Sequence, residues 1–494
     1  MPAAQPLARR RAGILLHPTS LPGTAAGRPG DLGAAAYRFV DVLVECGQSV
    51  WQVLPLGPTH SDGSPYQSLS VHAGNPRLIS IERLRDQGLV GEQDYSLRRG
   101  EGEQPRQVRL LGCAAGRFAQ CATAEQQADY QSFRARHDWL EDYALFIALR
   151  EHYHGQPWFA WPAGLRSRAP AALLAMHTQL REACERVCFE QYVFHQQWQA
   201  LKAYANARGV LIFGDIPIFV AHDSADVWVR PELFDLDDQG GAAHVAGVPP
   251  DYFSATGQRW GNPLYRWQRL AEGDYDWWLR RIDSQLQQVD MLRIDHFRGF
   301  EAYWEIPGDQ QTAQNGQWRP GPGAAFLERL VSHCPGLPLV AEDLGVITPQ
   351  VEALRDRFRL PGMKILHFAF GGNADNPYLP HAHVINSVVY TGTHDNDTTL
   401  GWFNGLPQPS RDYVLEYLGG PQAPMPWPLI SAALASVARL AIIPMQDVLE
   451  LDSTHRMNVP GTSDGNWLWQ FDWAMLTDDK RQRLTRLTQL YHRS

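Results

Sequence analysis

The chain has 494 residues, 44% apolar and 20% charged, with a formal net charge of −9. This length can bury a large core and can hold one large barrel or two to three ordinary domains. The acidic balance argues against a nucleic-acid surface, which needs clustered Lys and Arg to displace counterions. No apolar run has the length of a membrane helix.

Arg9, Arg10 and Arg11 precede a short apolar run that superficially resembles a leader. The run is too short for a secretory core, and His17-Pro18 ends it without a cleavage site. The six cysteines (Cys46, Cys113, Cys121, Cys184, Cys188, Cys334) form no Cys-x-x-Cys pair. Such thin, scattered usage speaks against a zinc site and for a reducing compartment, so the expected location is the cytoplasm.

Residues 13–17 predict a short strand opening into a Pro/Ser loop. Residues 35–46 predict an amphipathic helix, with Phe39, Val42 and Leu43 at helical spacing. A second strand over 50–56 stops at Gly57-Pro58. This alternation begins a βα barrel or a doubly wound sheet. Over 57–208 the pattern is interrupted by a turn-rich stretch around Ser64-Pro65-Tyr66, then by helical periodicity over 139–152, 171–188 and 189–206. The reading is a mostly helical insertion after strand two.

The third strand, 209–213, runs into Gly214-Asp215-Ile216-Pro217. A second insertion occupies 217–288 and is rich in Gly, Asp and aromatics. Within it, residues 247–263 include Asp251, Tyr252, Phe253 and Trp260. A long irregular loop of that composition suits a lid over a ligand. The fourth strand begins at Val289. Beyond it come a Trp/Pro/Gly excursion over 303–322 and a helix over 324–333. Strand five ends at Glu342, and three more strands are predicted over 362–368, 388–391 and 441–445, the last running into Gln446-Asp447. Eight strands with intervening helices predict a closed (β/α)8 barrel. The doubly wound alternative wants a Gly-rich phosphate turn after strand one, and the sequence has none there. The segment after strand eight, a loop over 458–471 and a charged helix over 477–492, leaves no room for a trailing β-sandwich.

Three of these strands deliver a carboxylate at the C-terminal end: Asp295, Glu342 and Asp395. A buried strand has no use for Arg293 and Asp295 unless they pair or do chemistry, because desolvating them is unfavourable. Two residues apart on a strand, they project to the same side. The guanidinium is therefore expected to keep Asp295 ionised. Glu342 sits beside Asp343 after an apolar run, and burial plus nearby negative charge raises its pKa as a general acid requires. Asp215 reads equally as a strand-end carboxylate, and His394 as a loop hydrogen bond.

The blocks Arg293-Ile294-Asp295-His296-Phe297-Arg298-Gly299, Ala341-Glu342-Asp343-Leu344-Gly345 and Gly392-Thr393-His394-Asp395-Asn396 resemble the catalytic blocks of the amylomaltases. These are 4-α-glucanotransferases of glycoside hydrolase family 77, in the α-amylase clan. The resemblance implies Asp295 as nucleophile, Glu342 as acid/base and Asp395 as transition-state stabiliser. It places Tyr66, Asp215, Trp260, Arg293 and His394 around the reacting glucose, with Asp251, Tyr252 and Phe253 in the lid. It also implies malto-oligosaccharide, amylose or other α-1,4-glucan substrates, with no cofactor and no catalytic metal. The turn Thr59-His60-Ser61-Asp62-Gly63 lacks the Tyr that many relatives carry, and His72 stands where an aromatic is common, which argues against a remote glucan contact. The triad is common to transferases and hydrolases. The lid stretch and the missing sandwich favour transfer over hydrolysis, and both over a non-catalytic glucan-binding protein.

Overall fold

The computed structural model describes residues 6–23, 28–96, 102–250, 254–336, 338–462 and 464–494. Its strands are β1 (Arg11–Leu15), β2 (Val50–Gln52), β3 (Leu211–Pro217), β4 (His244–Val248), β5 (Gln258–Pro263) and β6 (Met291–Asp295). The others are β7 (Ala302–Pro307), β8 (Gln317–Pro320), β9 (Leu339–Ala341), β10 (Gly362–Ile365), β11 (Ser387–Tyr390) and β12 (Leu440–Pro444).

Eight of them form a parallel sheet in the order β10-β11-β12-β1-β2-β3-β6-β9. Its end strands meet where the Ala341 N–H donates to the Pro361 carbonyl at 2.9 Å. This is the predicted (β/α)8 barrel. Side chains alternate across it with the period of two that a pleated strand imposes. Val50, Phe213, Met291, Val340, Met363, Val388 and Leu440 fill the inside. Their neighbours Trp51, Ile212, Leu292, Leu339, Val389 and Ala441 face the outer helices. Asp215 shares the parity of Phe213, Arg293 and Asp295 that of Met291, and Glu342 that of Val340. The pleat that buries the core therefore aims these charged groups into the mouth of the ring.

The strand boundaries differ in detail from expectation. β2 stops at Gln52, four residues early. β3 extends to Pro217, so Asp215 lies within the strand and not beyond it. In the region after β2, the helices Pro170–Gln179 and Arg181–Ala207 divide at Leu180, where the periodicity placed the break near residue 188.

The larger correction concerns the stretches read as irregular. Between β3 and β6 stand β4, β5 and the helices Ala225–Val229, Trp267–Glu272 and Asp276–Gln288. The excursion after β6 is β7 and β8. These four strands form an antiparallel sheet in the order β5-β4-β7-β8. Asp251, Tyr252 and Phe253 lie outside the described residues. After β12 the described residues hold no further strand. The helix Asp478–Leu490 returns to the barrel base, where Gln48 donates to Thr488 Oγ1 at 2.7 Å. No helix among the described residues is long and apolar enough to cross a membrane.

Candidate active site

The registers of β3, β6 and β9 build the acidic centre. Asp215 pairs with Arg293 and Pro217 with Asp295 across β3 and β6. Ile294 pairs with Ala341 across β6 and β9, so the next residues, Asp295 and Glu342, leave the barrel at one level. Arg293 donates to Asp215 Oδ2 at 2.6 Å and to Asp295 Oδ1 at 2.7 Å. Burial works against its charge, but the two carboxylates hold the guanidinium fully protonated. Tyr66 enters from the loop after β2 and donates its hydroxyl to the same Asp215 oxygen at 2.8 Å.

The Asp295 side chain keeps 30% of its surface exposed, toward the open cleft. Burial lifts its pKa to about 6, with Arg293 pulling the other way. Glu342 goes further. Burial first, and the negative charge of Asp295 second, push it up to about 8. This outweighs two backbone donors to its carboxylate, His296 N–H at 2.7 Å and Leu344 N–H at 3.1 Å. His296 adopts a left-handed conformation (φ 56°), which turns its N–H back onto the acid.

Burial and nearby negative charge raise Glu342 as expected, but of the two charges Asp295 has the larger effect and Asp343 the smaller. Asp343 turns away to pair with Arg355 and to accept the Met363 N–H at 2.7 Å, and it adds least to the shift. Gly362 lets it approach, since a Cβ there would collide with the Asp343 carboxylate.

Asp395 completes the group from the loop after β11. Its side chain is partly exposed, and the His394 imidazole, 3.3 Å away, and Asn458, which donates at 2.7 Å, outweigh desolvation and hold its carboxyl below the ordinary carboxylate range. Tyr66 stacks on His394 with ring centroids 5.1 Å apart and planes 14° apart. Trp260, on β5, meets His296 edge-on at 4.8 Å. The antiparallel sheet thus sets one wall of the cleft and Tyr66 with His394 the other. The structure brings together every expected residue that it describes. The arrangement combines a carboxylate held by a cation, a carboxyl biased toward its proton and a third carboxyl biased toward ionisation, which is the equipment for glycosyl chemistry.

A family model described as 4-alpha-glucanotransferase, glycoside hydrolase family 77, matches residues 16–476. The chain belongs to the 4-alpha-glucanotransferases. It is 48% identical to the 4-alpha-glucanotransferase of Synechocystis sp. over 99% of each chain. It is 47% identical to that of Thermus thermophilus, over 98% of this chain and 99% of the relative. Among solved structures, the amylomaltase from Streptococcus agalactiae in complex with acarbose superposes with a TM-score of 0.93 at 38% identity, covering 98% of this chain and 100% of that one.

Two residues of this 4-alpha-glucanotransferase were not picked out from its sequence. Asn458 is the direct partner of Asp395, and Trp467 lies 5.9 Å from Tyr66 and 6.0 Å from His394. Both stand on the aperiodic loop after β12, where the only signal was a left-over Trp in a polar stretch. Asp447, read only as the end of strand eight, is a third. It is buried and accepts from Thr391 Oγ1 at 2.6 Å, Thr399 Oγ1 at 2.6 Å and Thr399 N–H at 2.7 Å. One carboxylate thereby ties both ends of the loop that carries His394 and Asp395.

Proposed function

We propose that this 4-alpha-glucanotransferase moves α-1,4-glucan segments from a donor malto-oligosaccharide or amylose to the 4-hydroxyl of an acceptor glucan or glucose, by double displacement. Asp295 attacks the anomeric carbon while Glu342 protonates the departing glycosidic oxygen. Glu342 then takes the proton of the acceptor hydroxyl as that oxygen attacks the glycosyl-aspartate. Asp395 balances positive charge on the reacting ring, and Arg293, Asp215 and Tyr66 orient the nucleophile. The observation that carries this reading is the convergence of the two carboxyls at one level of the barrel mouth with unequal upward shifts, Asp295 to about 6 and Glu342 further, to about 8. Between those values the nucleophile is ionised and the acid still holds its proton. That the Streptococcus agalactiae relative was solved in complex with acarbose supports a saccharide ligand for this chain. A lid role for Asp251, Tyr252 and Phe253 rests on sequence: they join β4 to β5, the strand that carries Trp260.

Incubation with maltotriose tests the reading. Transfer yields glucose together with a ladder of longer glucans, whereas hydrolysis yields shorter sugars only, and the second result would overturn it.

The pair also fixes a pH profile. The rate is expected to fall below about pH 6, as Asp295 takes up a proton, and above about pH 8, as Glu342 loses its own. These limits belong to the interacting pair and should appear in kcat/KM, which reports the free enzyme. A profile flat through either limit would contradict the assignment.

Asn458→Ala should reduce kcat/KM. A hydrogen bond to a charged group contributes about 1.5–3 kcal/mol, so the loss is roughly 10- to 150-fold if the bond is kept in the transition state. Steady-state kinetics on maltotriose, with circular dichroism as a fold control, would measure it; an unchanged rate would remove Asn458 from the site.

A further inference from the structure

Outside the cleft, three chemically different side chains converge on the outer face of the barrel. Asp283 stands on the helix Asp276–Gln288, His333 ends the helix Gly323–His333, and Cys334 caps that helix. His333 Nε2 lies 2.9 Å from Asp283 Oδ1 and 2.8 Å from Oδ2, and Cys334 Sγ lies 3.8 Å from Oδ1. One ligand atom from each residue falls within 4.8 Å of the other two.

Around a tetrahedral ion, with bonds of about 2.0 Å to N and O and about 2.3 Å to S, neighbouring ligand atoms are themselves roughly 3.3–3.5 Å apart. The Asp283–His333 edge would have to lengthen by about half an ångström, and the Asp283–Cys334 edge to shorten slightly, around such an ion. We propose that Asp283, His333 and Cys334 form a non-catalytic binding site for a divalent cation of the zinc type. The donor set decides the class. Thiolate and imidazole suit zinc and its borderline-soft neighbours, whereas magnesium and calcium ask for oxygen ligands throughout. Side-chain exposure of 31% for His333 and 44% for Asp283 leaves a path for the ion and room for water as the fourth ligand. Without metal, burial and the Asp283 charge keep the thiol protonated, so an entering ion replaces that proton.

The two helices lead into β6 and β9, the strands that deliver Asp295 and Glu342. The site lies ahead of those strands, at the end of the barrel away from the cleft. A bound ion would therefore clip adjacent βα units together without touching substrate. Cysteine spacing gave no warning of it, because Asp283 is distant in sequence from His333 and Cys334.

Titration of the metal-free full-length enzyme with Co2+ tests the proposal. One ion per chain is expected, with a thiolate-to-cobalt charge-transfer band that Zn2+ displaces, and Zn2+ should raise the melting temperature. Cys334→Ser should lose the band and the rise, and Asp283→Asn should weaken binding at least about tenfold. Metal-free transfer activity should be unchanged in both. No saturable thiolate band, or a band that survives Cys334→Ser, overturns the site. His333→Gln, at an exposed helix end, provides the same test should Asp283→Asn fail to fold.

Discussion

Asp295→Asn is expected to lower transfer from maltotriose by on the order of 10^4- to 10^6-fold, because the amide cannot form the covalent glycosyl intermediate. The fold should survive. Removing one partner of a buried ion pair usually strands a charge at a cost of several kcal/mol. Here Arg293 keeps its 2.6 Å bond to Asp215, so the guanidinium stays compensated. A second effect distinguishes chemistry from disruption. The charge of Asp295 is part of what raises Glu342, so the variant should titrate Glu342 at lower pH than the wild type. Initial rates, a thermal melt and a carboxyl titration by NMR or difference infrared spectroscopy report these three quantities. A folded variant with the wild-type rate would dispose of the nucleophile.

Glu342→Gln should cost about 10^2- to 10^4-fold on maltotriose, the span for loss of a positioned general acid. The deficit should depend on the donor. A glycosyl fluoride leaves without needing a proton, so its first step should keep most of the wild-type rate. With that donor, the decline above about pH 8 should also vanish from the glycosylation step, since Glu342 sets that limit. An equal loss for fluoride and maltotriose would show that the substitution disturbs geometry and that the proton comes from elsewhere. The amide oxygen can accept only one of the two backbone N–H bonds that Glu342 takes on separate oxygens, from His296 and Leu344, so a thermal melt must accompany the kinetics.

Much of this was legible in the sequence, for local reasons. Apolar runs of strand length that end in a carboxylate and a glycine announce a barrel strand reaching its loop, and β6, β9 and the loop after β11 all show that pattern. The parity of Arg293 and Asp295 foretold their shared face. The antiparallel sheet was not legible. Its strands are four to six residues long, carry Gly247, Asn262, Pro263, Pro307 and Pro320, and pair across two separate insertions. Asn458 escaped for a related reason: its partner Asp395 is 63 positions away, and a single amide in a loop has no periodicity to betray it. That Asp295 outweighs the adjacent Asp343 in raising Glu342 was not legible, because the contact between β6 and β9 is made by the fold and not by sequence adjacency.

The ring has a seam. Between β9 and β10 the described residues show no strand ladder, only the Ala341 N–H on the Pro361 carbonyl and the Asp343 side chain standing in for backbone at Met363. The residue between those two stitches is Glu342, the proposed acid. A joint held by so few bonds opens at lower free energy than a fully laddered pair. Amide exchange at Ala341 and Met363 should accordingly outpace that at Ala441 and Ile442, where β12 is laddered on both sides. Warming would then spoil the acid's surroundings before the barrel melts, so that heat inactivation runs ahead of unfolding, and a stitch across this joint would prolong activity more than added stability elsewhere.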